Sequence, residues 1–128
     1  EMQRSLVGSE MCIRDSVYIP PYEYYNKEIS AWAKNMGIQV INYTPGTMSN
    51  ADYTTPDMGQ KYRSSKFIYD KIMEVEKKEG LNGHLMLIHF GTDDRRTDKF
   101  YNGYLDKMIK TLKRKGYTFV PVREAVGI

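Results

Sequence analysis

Two kinds of apolar segment alternate along most of this sequence, and this alternation restricts the chain to a small group of folds. Short runs rich in β-branched and aromatic residues, which predict strands, are separated by longer segments with apolar residues at helical spacing. The predicted strands are residues 16–19, 38–43, 84–90 and 117–122. Strands that alternate with helices pair in parallel and are joined by right-handed crossovers. The sequence therefore predicts an α/β fold with the parallel order β-α-β-α-β-α-β.

Polar caps and glycines bound the three predicted helices. Asn26 is a suitable N-cap for the first helix, and Gly37 is a suitable residue to end it. The apolar stripe of this helix is predicted to face the core and contains Ile29, Trp32, Ala33 and Met36. The second helix is predicted from Ser64 or Ser65 to Gly80, with Ile68, Ile72 and Val75 as its apolar stripe, and the third from about Phe100 to Lys115.

Composition excludes several classes of protein. The 128 residues fit one domain, and a content of 41% hydrophobic and 27% charged residues is that of a globular chain. The net charge of +3 comes from interleaved acids and bases, so no basic stripe predicts binding to nucleic acid. No apolar run approaches the ~20 residues that a membrane-spanning helix needs. The eleven tyrosines combine an apolar ring with a polar tip, which suits polyhydroxyl ligands such as sugars.

The loops that follow the predicted strands are the expected place for chemistry. In a parallel α/β sheet or barrel, the loops at the carboxyl ends of the strands line the active site. In this sequence those loops are "PPYEYYN", "TPGTMSNADYTTPDM" and "FGTDDRRTD". They hold most of the prolines, many tyrosines and a cluster of acids, whereas the loops at the opposite end are short connectors.

His89 is the leading candidate for a catalytic residue. It ends a predicted buried strand beside a polar loop, where an imidazole can act as general acid or base near neutral pH. A structural histidine that bonds a loop carbonyl fits the same position. His84, at the start of the same strand, is predicted to be structural. The acids of "GTDDRRTD" predict a solvated turn and helix cap, and the absence of HxxxH and CxxC motifs predicts no metal site in this chain.

Two other loop features can take part in catalysis. Pro20 and Pro21 stiffen the backbone and can aim the Tyr22 N–H into a cleft, where it would stabilise an oxyanion, although an ordinary proline-rich turn explains the same residues. Asp52 can orient a catalytic group, and Tyr53 can stack on a ring. For Asp52 the alternative is a solvated loop with a local Asx turn.

These motifs together resemble the C-terminal half of a polysaccharide deacetylase of the NodB-homology type (carbohydrate esterase family 4). The resemblance covers residues 17–122 and is carried by "YIPPYEYYN", "TPGTMSNADY", "HLMLIHFG" and "TDKFYNGYLDKMIKTLKRKGYTFVPV". It implies a distorted, TIM-like (β/α) barrel, of which this chain is the C-terminal half. It also implies hydrolytic removal of acetyl groups from N-acetylglucosamine polymers or acetyl-xylan, with the help of a divalent metal such as zinc.

The resemblance assigns roles to individual residues. His89 matches the general acid that protonates the departing amine or alcohol, and Tyr22 matches the residue whose backbone N–H contributes to the oxyanion hole. Leu87 matches the apolar wall around the acetyl methyl group. Asp52 and Tyr53 fall near an Asp-Trp pair of the family, with Tyr where Trp is usual. The predicted catalytic residues are thus His89 and Tyr22, and the predicted substrate-binding residues are Pro21, Tyr22, Asp52, Tyr53 and Leu87.

The sequence departs from the family pattern at two positions and lacks the part that precedes Val17. Ile19 stands where the family usually has Arg, and Phe90 follows His89 where Asp is frequent. The base aspartate and the metal ligands of the family, one aspartate and two histidines, lie on strands that precede the position of Val17. The resemblance therefore implies that a metal is bound by a full-length parent and not by this chain, and that this chain alone is inactive.

Residues 1–16 do not continue the periodic pattern. Their "RSLVGSEMCIRDS" resembles a translated adaptor or vector stretch, so these residues are predicted to be an unstructured, artefactual leader, with a genuine N-terminal extension as the alternative. Residues 17–128 are then the C-terminal part of a deacetylase domain.

The family resemblance also predicts the surroundings of the protein. The expected partner is an acetylated polysaccharide or oligosaccharide, and the expected location is secreted, periplasmic or in the cell envelope.

Two other functions remain open. One is a non-catalytic carbohydrate-binding domain that uses its tyrosines for stacking. The other is a complete flavodoxin-like domain, although "PPYEYY" offers no glycine-rich loop for a phosphate.

Overall fold

The computed structural model describes residues 17–127, so the predicted leader at residues 1–16 lies outside the described residues. The chain divides into two compact units. The first unit contains the described residues up to Asn42 and those from Pro121 onward, and the second unit runs from Tyr43 to Val120. The α-helices within residues 17–127 are α1 (Lys27–Asn35), α2 (Ser65–Lys78), α3 (Phe100–Gly103), α4 (Leu105–Arg114) and α5 (Val122–Ala125). Three short 3₁₀ segments are Pro21–Glu23, Ser49–Tyr53 and Pro56–Lys61.

The first unit contains the two strands of the described chain. These are β1 (Val17–Tyr18) and β2 (Gln39–Val40), which pair in parallel with Val17 opposite Gln39. Helix α1 connects them. The Asn26 side chain accepts a hydrogen bond from Ile29 N at 2.8 Å, which confirms the predicted N-cap. Gly37 follows the helix with a φ of 75°, a conformation that glycine adopts without steric cost.

The predicted fold is wrong for the described residues. About half of residues 17–127 are helical, and their strands are limited to β1 and β2. These residues show no barrel-like β/α repeat, so they form neither the parallel β-α-β-α-β-α-β order nor the half-barrel. A strand needs a neighbour that completes its ladder of hydrogen bonds. In the predicted strand 84–90, the N–H of His89 bonds instead to a carboxylate, and Leu85 bonds to the single residue Thr44. Phe119 and Val120 of the predicted last strand are exposed.

The second unit has an apolar core between α2, α3 and α4. Ser64 caps α2 by accepting a hydrogen bond from Phe67 N at 3.1 Å, as predicted. The third predicted helix is formed but is interrupted at Tyr104, which has a φ of −129° and separates α3 from α4. The fully buried cluster contains the predicted α2 stripe and residues from the following elements: Ile68, Ile72, Val75, Leu81, Phe100, Met108 and Leu112.

The predicted core stripe of α1 is wrong at two positions. Trp32 is 60% exposed and Met36 is 71% exposed, whereas Ala33 is the buried residue of this helix. Successive helical residues are rotated by about 100°, so the turn that buries Ala33 carries Trp32 to the side of the helix. The apolar residues have helical spacing, but no described residue of the first unit buries Trp32 and Met36.

Candidate active site

Asp52 is a buried carboxylate of the second unit. It lies on the 3₁₀ segment Ser49–Tyr53, which packs against α2 and follows Met48, a residue in the left-handed region with a φ of 62°. The Thr54 hydroxyl donates to Ala51 O at 2.7 Å and holds the end of this segment. Buried carboxylates need hydrogen-bond donors, because their desolvation is costly. The solvated-loop alternative for Asp52 does not fit its 1% exposure.

Both carboxylate oxygens of Asp52 contact His89. Oδ2 accepts a hydrogen bond from the backbone N–H of His89 at 2.7 Å, and Oδ1 lies 2.6 Å from Nδ1 of the imidazole. The side chain of His89 is 33% exposed, while that of Asp52 is 1% exposed. One buried carboxylate therefore fixes both the backbone and the ring of a histidine whose other edge reaches the surface. These two residues are called the Asp52–His89 pair.

The Asp52–His89 pair determines where the ring can exchange a proton. An ionised carboxylate only accepts hydrogen bonds, so the proton on Nδ1 is the one that points to Asp52. Nε2 is then the nitrogen left for a substrate, and within residues 17–127 it has no hydrogen-bond partner. A neutral ring accepts a proton at Nε2, and a protonated ring donates one there, while the carboxylate stabilises the imidazolium.

Tyr53 borders the same imidazole. Its ring meets the His89 ring edge to face, with 5.8 Å between the centroids and 72° between the planes, and half of Tyr53 is exposed. An aromatic edge contact restricts rotation of the imidazole and places a half-exposed aromatic ring beside it. The structure thus brings together three of the predicted site residues, Asp52, Tyr53 and His89.

The other predicted site residues are placed separately. Leu87 is half-buried and belongs to the second unit, as the Asp52–His89 pair does. Pro21 and Tyr22 belong to the first unit, where Tyr22 is 95% exposed with a φ of 54°. Glu23 also has a positive φ, of 57°, so the turn that carries Tyr22 is strained at two consecutive residues.

The loop "GTDDRRTD" contains an exposed ion-pair network. Arg95 contacts Asp57 and Asp93, each at 2.8 Å. The hydrogen bond from the Arg95 side chain lowers the pKa of Asp93, and the Thr55 hydroxyl, more than Arg95, lowers the pKa of Asp57. These groups are exposed, so salt screens their attraction and it contributes little to stability.

The same loop contains a residue whose burial the sequence did not predict. Arg96 follows exposed Arg95 but is fully buried. The loop was predicted to be a solvated turn, and two adjacent arginines offer no periodicity that would separate a buried one from an exposed one. The only sequence signal was the position of Arg96 in a loop of the predicted site.

The described residues do not fit the metal that the family resemblance implies. Across residues 17–127, no three side chains of His, Cys, Asp or Glu form a group that could hold a metal ion. Nδ1 of His89 is also engaged by Asp52.

Comparison with known proteins identifies no relative: no family model, no curated protein and no solved structure matches this chain. The likeness to polysaccharide deacetylases thus rests on the quoted motifs. None of the helices in residues 17–127 is long and apolar enough to cross a membrane.

Proposed function

We propose that this sequence belongs to a hydrolase that removes acetyl groups from an acetylated polysaccharide or oligosaccharide, and that His89 is its general acid. The observation that supports this proposal is the contact of both Asp52 oxygens with His89, which leaves Nε2 of a one-third exposed side chain for a substrate. The motifs that resemble the deacetylases supply the substrate class.

The proposed chemical role of His89 is proton donation to the leaving group. Water adds to the acetyl carbonyl and loses one proton to solvent, and the resulting tetrahedral intermediate collapses by breaking the bond from carbon to nitrogen or oxygen. The leaving atom keeps the electron pair of that bond and takes the proton from Nε2 of protonated His89. The ring, now neutral, regains a proton from solvent. Asp52 holds the ring in orientation and stabilises its protonated form.

The remaining predicted residues have roles in substrate binding. Tyr53 offers an exposed ring face next to His89, on which a sugar ring can stack. Leu87 supplies apolar surface for the acetyl methyl group.

The test is release of acetate by the natural gene product that carries residues 17–128. The substrates are chitin oligosaccharides and acetyl-xylan, and acetate is measured in solution. His89→Ala should lower the rate by ~10²–10⁴-fold, because that is the usual contribution of a general acid. Asp52→Asn should lower it too, because the amide cannot stabilise the imidazolium.

His84→Ala is the matched control. His84 belongs to the same segment as His89. Its backbone N–H bonds to Leu81 O at 3.0 Å, and it makes no hydrogen bond to Asp52 among the described residues. Its replacement should leave the rate within a few-fold of the natural protein. No acetate from any of these substrates, or equal rates for the two histidine variants, would contradict the proposal.

A second candidate function is non-catalytic binding of carbohydrate. The observation that favours it is the exposure of three tyrosines within four residues of the first unit, Tyr22, Tyr24 and Tyr25. Exposed rings with hydroxyl tips suit sugar ligands. Retention of chitin oligosaccharides or xylan without acetate release, weakened by replacing these tyrosines, would favour this function over hydrolysis.

A further inference from the structure

Arg96 is a buried cation without an acidic partner. It is fully buried, and none of the ion pairs within residues 17–127 includes it. Burying a charge costs several kcal/mol unless hydrogen bonds and nearby dipoles compensate it. The contacts that retain Arg96 in the interior are therefore informative about its role.

The guanidinium of Arg96 donates to four residues from separate parts of the second unit. Nε donates to Asp98 O at 2.8 Å, and Nη2 donates to Ser65 Oγ at 3.0 Å. Nη1 donates to Thr54 O at 2.7 Å, to Arg63 O at 2.9 Å and, at 3.4 Å, to Thr54 Oγ1. Three of these five acceptors are backbone carbonyls. These five residues, Thr54, Arg63, Ser65, Arg96 and Asp98, are called the Arg96 cluster.

The Arg96 cluster makes a second connection between the two chain segments that carry the Asp52–His89 pair. Thr54 follows Asp52 by two residues, and Arg96 follows His89 by seven. The first connection is the contact of Asp52 with His89, and the second is the contact of Thr54 with Arg96. The two chain segments that carry the Asp52–His89 pair are thus joined a second time through one guanidinium.

A lysine could not make the same set of contacts. A guanidinium is a rigid planar fork with five N–H donors, whereas an ammonium is a single charge on a flexible chain. Tyr62 also contacts the guanidinium of Arg96, with 5.5 Å between its ring centroid and the guanidinium carbon. The geometry, as well as the charge, is therefore needed to hold the two segments in register.

We propose that Arg96 is a positioning residue for the Asp52–His89 pair. It fixes the carbonyl of Thr54 relative to the chain that follows His89. In this way it keeps the carboxylate of Asp52 against the backbone N–H and the Nδ1 atom of His89. The positioning itself is independent of the reaction, but its consequence for catalysis rests on the proposed function.

The first measurement is the ¹⁵N NMR signature of the His89 ring in the 128-residue chain. Arg96→Lys is compared with Arg95→Lys, because these adjacent arginines differ in burial and in partners. In the unaltered chain and in Arg95→Lys, one ring tautomer with a protonated Nδ1 is expected. In Arg96→Lys, loss of the slowly exchanging Nδ1 proton and averaging of the two tautomers are expected, with the backbone amide spectrum of α4 retained.

The second measurement needs no variant and covers the case in which Arg96→Lys does not fold. Native-state hydrogen exchange is measured for the N–H groups of Arg63, Ser65 and His89. These groups bond to Thr54 Oγ1, Asp98 Oδ2 and Asp52 Oδ2. If Arg96 joins the segments, the three should open together, with equal protection factors. Opening of the His89 N–H alone, or an unchanged ring tautomer in Arg96→Lys, would overturn the proposal.

The catalytic arm distinguishes failure of this proposal from failure of the proposed function. In the acetate assay, Arg96→Lys should lower kcat by about 10²-fold with little change in KM, as expected from a displaced catalytic group, while Arg95→Lys should not. If no acetate is released at all but the NMR difference is seen, the proposed function fails and the positioning role stands. If acetate is released equally by both arginine variants, the positioning role fails.

Discussion

The two units of this chain orient their surface side chains through different kinds of contact. In the second unit the Asp52–His89 pair is held by the buried carboxylate of Asp52, and the two segments that carry it are joined again by buried Arg96. In the first unit few described residues are buried, and its large side chains, Trp32 among them, are mostly exposed. Its distinctive feature is a turn with two consecutive positive φ angles, at Tyr22 and Glu23.

This difference shows two ways of presenting a side chain in a defined orientation. The imidazole of His89 is oriented by side-chain contacts, so replacing a buried neighbour should disturb it. Tyr22 is oriented by its backbone, because Glu23 N bonds to Pro20 O at 3.0 Å and Asn42 Nδ2 bonds to Glu23 O at 3.2 Å. Substitutions should therefore have large effects in the second unit and small effects in the first.

The largest expected effect is the loss of a buried aromatic side chain from the second unit. Phe100 is 1% exposed within the core cluster, so Phe100→Ala should lower the free energy of unfolding by about 3–5 kcal/mol. The measurement is chemical denaturation followed by circular dichroism.

Trp32→Ala in the first unit is the matched control for Phe100→Ala. Because Trp32 is mostly exposed, its loss should change the free energy of unfolding by about 0.5 kcal/mol or less. Equal effects of the two substitutions would show that Trp32 is covered in solution, and the contrast between the units would then be lost.

The next effect concerns a single hydroxyl. Tyr117 OH accepts a hydrogen bond from Leu81 N at 2.9 Å, so Tyr117→Phe leaves a backbone N–H without its acceptor and should destabilise the chain by about 1–3 kcal/mol. Tyr22→Phe makes the same chemical change on an exposed ring and should have almost no effect. Thermal unfolding of both variants tests the difference, and a larger effect of Tyr22→Phe would contradict it.

Local features were predictable from the sequence because they depend on neighbouring residues. The caps Asn26 and Ser64 and the α2 stripe are set by hydrogen bonds and spacing within a few positions, and the structure confirms them. The α/β sheet was not predictable in this way. The run 84–90 has the composition of a strand, but its partners are loop atoms of Thr44 and Asp52, which lie about 40 residues away in sequence.

Two of the candidate site residues are in contact in the structure, although the predicted sheet is not formed by the described residues. His89 and Asp52 were selected by residue type and by their positions after predicted strands. Only the argument from residue type survives the error in the fold. Arg96 was missed because its acceptors are mostly backbone carbonyls, and no sequence pattern marks a carbonyl as an unsatisfied acceptor.

A smaller effect is expected from relief of strain in the first unit. Glu23 has a φ of 57°, which costs an ordinary residue roughly 1 kcal/mol but costs glycine nothing. Glu23→Gly should therefore stabilise the chain by up to about 1 kcal/mol. Glu28→Gly, within helix α1, should destabilise it by a similar amount, about 1 kcal/mol. The same sign for both variants in denaturant unfolding would show that the turn is not strained.

The smallest expected effect is a pH dependence at the exposed edge of the second unit. The pKa of Asp57 is lowered from 3.8, chiefly by the hydrogen bond from the Thr55 hydroxyl. A carboxyl whose pKa is lowered by folding stabilises the protein above its ordinary pKa, and this contribution is lost as the pH falls from 3.8 through the lowered value. Thr55→Val removes the largest cause, so the pKa of Asp57 should rise toward 3.8 and this acid-dependent loss should shrink. Carboxyl ¹³C NMR titration measures the shift directly, with Arg95→Gln as the control that removes only a smaller cause. If Asp57 titrates at an unchanged pH in Thr55→Val, its contacts in solution are made by other groups, and this edge of the second unit is no better ordered than the turn of the first.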